Sequence, residues 1–208
     1  MFSLVFAAFW VLPPSSDAHA ANAAETFVQS NIDRGYAILN DGTSNAAQRQ
    51  LQFRALLLSM VDVKRVALFT LGPYARDADE ADIEKFVAAF MDFLTAVYQR
   101  GLDTYKGHAL EVTGSTERAE DDVIVNVIAG GRSGKSSQAH IAFRVRRAKS
   151  GGNIVTDLEI EGAWLALMQR AEFMAYLEQH GGNIAELSME LDERAARIRV
   201  ADGETRKP

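Results

Sequence analysis

The apolar positions along the chain keep two rhythms, and the change comes near Gly107. From Ala23 to Leu39, the residues Phe27, Ile32, Tyr36 and Leu39 recur at near-helical spacing, and Asn40-Asp41-Gly42 ends the run. Ser44 can cap a second helix whose apolar positions are Leu51, Phe53, Leu56, Leu57 and Met60. Asp62 caps a short third helix, Val63 to Leu71, which Gly72-Pro73 closes. The longest helical signal runs from Asp79 to about Tyr105. It sets Ile83, Phe86, Phe90, Phe93, Leu94 and Val97 on one face, with acidic residues in the first turn, where the helix dipole favours them.

After Gly107 the period falls to two. Leu110 and Val112 alternate with polar neighbours, as do Val123, Val125 and Val127, then Ile141, Phe143 and Val145, then Ile154, Leu158 and Ile160. Turn-rich stretches separate these runs, which predicts an antiparallel meander of four strands. Gly162 ends the last strand, Trp164 to Gln179 returns to helical period, and Gly181-Gly182 stops that helix. Ile184 to Leu191 reads as a short final helix, and the polar tail from about Arg197 as loose. Helices, then a sheet, then helices give an α+β class, with no internal repeat and no linker long enough to divide two domains.

The N-terminal stretch adds an expectation of export. Phe2 to Leu12 is an almost unbroken apolar run, Pro13-Pro14 ends it, and Ala18-His19-Ala20 is a small-x-small cleavage site. No Lys or Arg precedes Arg34, so the usual basic segment before the apolar run is missing. The expected organisation is a leader over 1–20, one domain over 21–196 and a polar tail over 197–208.

Charge and composition narrow the chemistry. The 208-residue chain is 48% hydrophobic and carries a formal net charge of -6, with no basic stripe, which disfavours nucleic acid as a partner. It has no cysteine, so thiolate metal sites, disulfides and cysteine nucleophiles are excluded. The segment "AGGRSGKSS" comes close to a phosphate-binding loop, with Ala129 in place of the strict glycine. Such a loop must open a helix, whereas "AHIAFRVRR" after it alternates as a strand, so the glycines read as a hairpin turn. His108, His140 and His180 have no partner at ligand spacing. Glu120-Asp121-Asp122 lacks the spacing of a calcium loop, and Glu159 with Glu161 reads as a solvated strand face. No metal, cofactor or catalytic set emerges. The apolar faces of the long helix and of the sheet remain, and periodicity alone does not separate a filled core from a cavity holding an apolar guest.

Three stretches resemble the periplasmic phospholipid-binding proteins of the MlaC / toluene-tolerance family. "FRALLLSMVDVKRVALFTLGPYAR" carries the Leu-Gly-x-Tyr pattern at Leu71, Gly72 and Tyr74, with Ala75 where Trp is frequent. "FVAAFMDFLTAVYQRGLDTYKG" is similar to the aromatic helix that leads into the first strand. "VTDLEIEGAWLALMQRAEFMAYLEQHGGNIAELSMEL" matches at Asp157, Glu161, Gly162, Arg170 and Phe173 and in its Gly-Gly. Ala163-Trp164 replaces Val-Ser, and Gln169 stands where Tyr is common; these departures suggest a divergent branch, one tied to hopanoid lipids.

The resemblance implies a curved four-stranded antiparallel sheet of the nuclear-transport-factor-2 type, wrapped by helices around a pocket for acyl chains. It implies a monomeric periplasmic carrier with no activity of its own and no cofactor. Its cargo would be a phospholipid or hopanoid, and its partners an outer-membrane lipoprotein complex and the MCE subunit of an inner-membrane ABC transporter. On this basis the expected pocket wall is Phe90, Leu94, Val112, Val125, Val127, Phe143, Leu158, Ile160 and Trp164, with Arg144 or Arg170 at the head-group rim. Two other readings stay open. One is a small enzyme on the same cone-shaped sheet, for which Tyr98, Tyr105 and Asp157 are the available groups. The other is a non-catalytic periplasmic adaptor.

Overall fold

In the computed structural model, the residues described are 17–104, 109–130, 139–149 and 151–205. The chain runs through α1 (Asp17–Asn40), α2 (Ala46–Met60), α3 (Val63–Leu71), a 3-10 turn (Gly72–Ala75) and α4 (Glu80–Thr104). The strands β1 (Ala109–Ala119), β2 (Asp122–Gly130), β3 (Ala139–Arg147), β4 (Asn153–Ile160) and β5 (Ala163–Trp164) follow, then α5 (Leu165–Gln179) and α6 (Ile184–Thr205). The α+β class stands. Most of the expected leader and the residues 131–138 of the glycine-rich segment lie outside the described residues, as do Tyr105 and His108. The strands flanking that segment pair antiparallel, with Ala129 opposite Ala139. No described helix is long and apolar enough to cross a membrane.

Local chemistry sets the element ends. Asn45, rather than Ser44, caps α2: its side chain accepts from the Gln48 N–H at 2.9 Å while the Gln48 side chain accepts from the Asn45 N–H at 2.8 Å. The Asp62 carboxylate accepts from the Arg65 N–H at 3.1 Å and starts α3. The sheet is five-stranded in the order β1-β2-β3-β4-β5, one more than the four strands expected. The extra strand arises because Glu161 and Gly162 both take positive φ (49° and 84°), the two-residue loop that turns a strand back on itself. Trp164 therefore pairs with Glu159 before α5 begins.

Register shifts in the β1–β2 ladder, between Val112 and Gly114, and in the β3–β4 ladder, between Arg144 and Val145, bend the strands. Val61, at the α2–α3 junction, bridges Val155 in parallel and covers part of the β4 edge.

The final helix is longer than expected. Instead of ending near Leu191 it runs to Thr205, and it packs along α4. Ion pairs along its exposed face hold its polar half: Glu190 with Arg194 and Arg197, and Glu193 with Arg197. Arg194 also reaches Glu172 of α5.

Two separate apolar cores result. One is helical: Phe86 and Phe90 stack at 5.8 Å, Phe173 meets both edge-on at 6.1 and 6.2 Å, and Leu71, Leu177, Leu187 and Leu191 close around them. The other joins Ala24, Val28 and Ile32 of α1 to Val123, Val125, Val127, Ile141 and Val145 of the sheet.

Candidate functional site

A void of about 1110 Å³, counted as far as its opening to solvent, lies between these two cores. Its wall takes Val28 and Ile32 from the α1–sheet core, and Phe53, Leu56, Leu57 and Leu94 from the helical core. The sheet adds Leu110, Ile141, Phe143, Leu158 and Ile160, and α5 adds Ala166.

The periods of the elements explain which residues arrive there. In α4, Leu94 and Tyr98 are four residues apart and share the face that meets the void, while Phe90 and Phe86, one and two turns earlier, enter the helical core. In β3, Ile141 and Phe143 are two apart and both face the void. Phe143, Leu158 and Ile160 are only half-buried, although the chain surrounds them, because part of their surface looks into the void.

Of the wall expected from sequence, Leu94, Phe143, Leu158 and Ile160 line the void. The other five residues sit elsewhere. Phe90 is fully enclosed in the helical core. Val125 and Val127 pair with Phe143 and Ile141 one strand further on, where α1 covers them. Val112 is on β1, its N–H bonded to Gln29 of α1 at 3.2 Å, beside a shallow surface hollow. Trp164 is held in the β4–β5 hairpin. Missing from the expectation were the α1 and α2 contributions. The apolar stripe of α2 was visible as Phe53, Leu56, Leu57 and Met60, and nothing in its period says that one side faces a void.

Neither expected rim arginine lines the void. Arg144 closes on Asp122 through two bonds, of 2.9 and 2.6 Å, and this pairing holds the Asp122 carboxyl below its usual range against the opposing effect of burial. Arg170 donates to the Phe69 carbonyl at 2.5 Å and lies over the Phe69 ring at 4.9 Å. It ties α5 to the end of α3, where Gly72 takes a positive φ (+59°) and a Cβ would lie 3.0 Å from the Met174 Sδ. Gly182 is likewise closely approached by the Tyr74 ring. The residues Leu71, Gly72, Tyr74, Arg170, Phe173 and Gly182 therefore form one structural joint.

The wall has few polar groups. Asn31 donates to the Phe27 carbonyl and accepts from Arg34, and Thr156 donates to the Arg144 carbonyl. Asp157 accepts the N–H groups of Leu158 at 2.8 Å and Ala166 at 2.9 Å on one carboxylate oxygen, and so caps the start of α5 from the neighbouring strand. Burial pushes its carboxyl upward, and these two bonds and the charge of Arg144 oppose the shift. Burial, and then the nearby Asp157 charge, push the Tyr98 phenol far upward. A phenol so placed is a hydrogen-bond donor rather than a source of protons near neutral pH. Among the described residues no cluster of His, Asp and Glu is arranged to hold a metal ion.

The family model described as MlaC protein matches residues 29–193. No match to a curated protein is found. Among solved structures, a phospholipid-binding protein from Ralstonia solanacearum, determined in complex with a phospholipid, is similar in fold. Its TM-score is 0.70 at 20% sequence identity, over 85% of this chain and 98% of that one.

Proposed function

The chain belongs to the MlaC family, and from that membership we propose that it is a lipid carrier that holds the acyl chains of a phospholipid, or of a hopanoid, in the void between its two cores. The observation that carries this reading is the void itself: a space walled mostly by Val, Leu, Ile, Phe and Met side chains. A space so lined holds water poorly and favours an apolar guest. Each buried methylene contributes about 0.8 kcal/mol, so two long chains carry on the order of 20 kcal/mol. Leaving a bilayer costs a similar amount. A dry wall brings the exchange near balance, and no reaction on this chain is required.

In this reading the first twenty residues are a leader, and the mature chain works in the periplasm as a monomer. It moves lipid between an outer-membrane lipoprotein complex and the MCE subunit of an inner-membrane ABC transporter, and it has no catalytic step of its own. The phospholipid held by the Ralstonia protein supports the cargo class. Transfer of a fluorescent phospholipid from donor to acceptor vesicles tests the reading. The expected result is a transfer rate that rises with the amount of mature protein added. Transfer no faster than without protein would contradict it.

A further inference from the structure

Three wall residues have polar groups that the fold leaves incompletely bonded. They come from three elements: Tyr98 from α4, Asp157 from β4 and Gln169 from α5. Asp157 and Tyr98 are near enough for the carboxylate charge to act on the phenol. Asp157 also accepts from the Ala166 N–H, and Gln169 is the next turn of α5 on the same side, three residues on. The three groups therefore converge on one part of the wall.

Their bonding is unequal. One oxygen of Asp157 takes both backbone N–H groups. The nearest strong cation, Arg144, is turned onto Asp122 instead. Among the described residues no hydrogen bond reaches the Tyr98 hydroxyl or the Gln169 amide. Tyr98 is half-buried and lines the void. All three are half-buried, and on a wall that is otherwise apolar the free bonding capacity they turn to the void is open to a polar group of the guest.

The set also says what that partner is. No Lys, Arg or His is on the wall, and Asp157 contributes negative charge, so phosphate is unwelcome here. A hydroxyl satisfies all three groups: its oxygen accepts from the phenol and the amide, and its hydrogen goes to the second Asp157 oxygen. We propose that Tyr98, Asp157 and Gln169 form a recognition point for an uncharged hydroxyl on the lipid cargo, which makes the carrier selective for hydroxyl-bearing lipids over equally apolar ones without it. This inference rests on reading the void as a lipid site.

Uptake from dioleoylphosphatidylcholine vesicles that carry equal minor fractions of dioleoylglycerol, with its free hydroxyl, and of its acetyl ester, without one, tests the proposal, with the host phosphatidylcholine as the reference lipid. The readout is the ratio of the two glycerolipids, which a general weakening of the site does not move. The wild type is expected to favour the hydroxyl form about ten-fold. Tyr98→Phe, which removes one oxygen and keeps the ring, should bring the ratio to about two-fold. Gln169→Leu should lower it too, and carries the test if the first variant does not fold. A wild-type ratio near one, or a ratio that both variants leave intact, overturns the proposal while the lipid reading stands. Uptake of none of the three lipids by the wild type overturns both.

Discussion

Phe90→Ala and Phe143→Ala delete the same atoms from two different surroundings. Phe90 has no exposed surface, stacks on Phe86 at 5.8 Å and meets Phe173 edge-on. Truncation there opens a closed hole in a filled core and is expected to cost about 3–5 kcal/mol. Phe143 already faces the void, so truncation widens an existing space. Only the contacts on its strand side are lost, a cost of about 1–2 kcal/mol. For a chain of this size each kcal/mol shifts the melting temperature by roughly 2–4 °C. Thermal unfolding of the lipid-stripped protein, followed by circular dichroism, should fall by about 6–20 °C for Phe90→Ala and by about 2–8 °C for Phe143→Ala. Polar replacements sharpen the contrast: Phe143→Asp should fold and lose lipid, whereas Val127→Asp, in the α1–sheet core, should not fold. Equal losses for the two alanine variants would refute the division of the interior into a filled core and a void.

Other outcomes follow from the same geometry. The folded-state pKa of Asp122 is depressed by Arg144, so the pair stabilises above the unfolded value of about 4 and is lost as pH falls through the folded value; Asp122→Asn should lower stability at neutral pH by about 2 kcal/mol and flatten the acid limb of a denaturant titration. Asp157 has the opposite sign: burial raises its pKa, so its ionised form weakens the fold above that value and the penalty disappears as pH falls through it. Asp157→Asn keeps an oxygen for the Ala166 N–H and should melt at pH 7 no lower than the wild type. Arg170→Ala should cost about 1–2 kcal/mol through the lost Phe69 contacts while the folded fraction carries lipid as before; reduced occupancy would return Arg170 to the head-group rim.

Helix and strand positions were legible because their apolar periods are long and uninterrupted, as in the face Ile83–Phe86–Phe90–Leu94 of α4 and the alternation Val123–Val125–Val127 of β2. The hairpin at Glu161-Gly162 was not, since Gly162 alone marks an end and only a second positive φ turns the chain back into a strand. The length of α6 was hidden because its last turns are polar and are held by Glu–Arg pairs rather than by an apolar stripe. The site was half legible for a related reason. Alternation assigns a residue to the inner face of the sheet, but whether α1 covers that stretch, as at Val125 and Val127, or leaves it open, as at Phe143 and Leu158, depends on where a helix from elsewhere in the chain lies. The arginines misled because residue type suits phosphate, while their partners, Asp122 for Arg144 and Phe69 for Arg170, are distant in sequence.

The most direct test of the central claim is native mass spectrometry of the mature protein exposed to phospholipid vesicles, beside the variant Leu57→Trp, which fills the void from α2. The expected result is a lipid-bound mass in near-stoichiometric amount for the wild type, and mostly the bare mass for a folded Leu57→Trp. A bare mass for the wild type, or equal occupancy in both proteins, would contradict the claim that the void between the two cores is where the lipid lies.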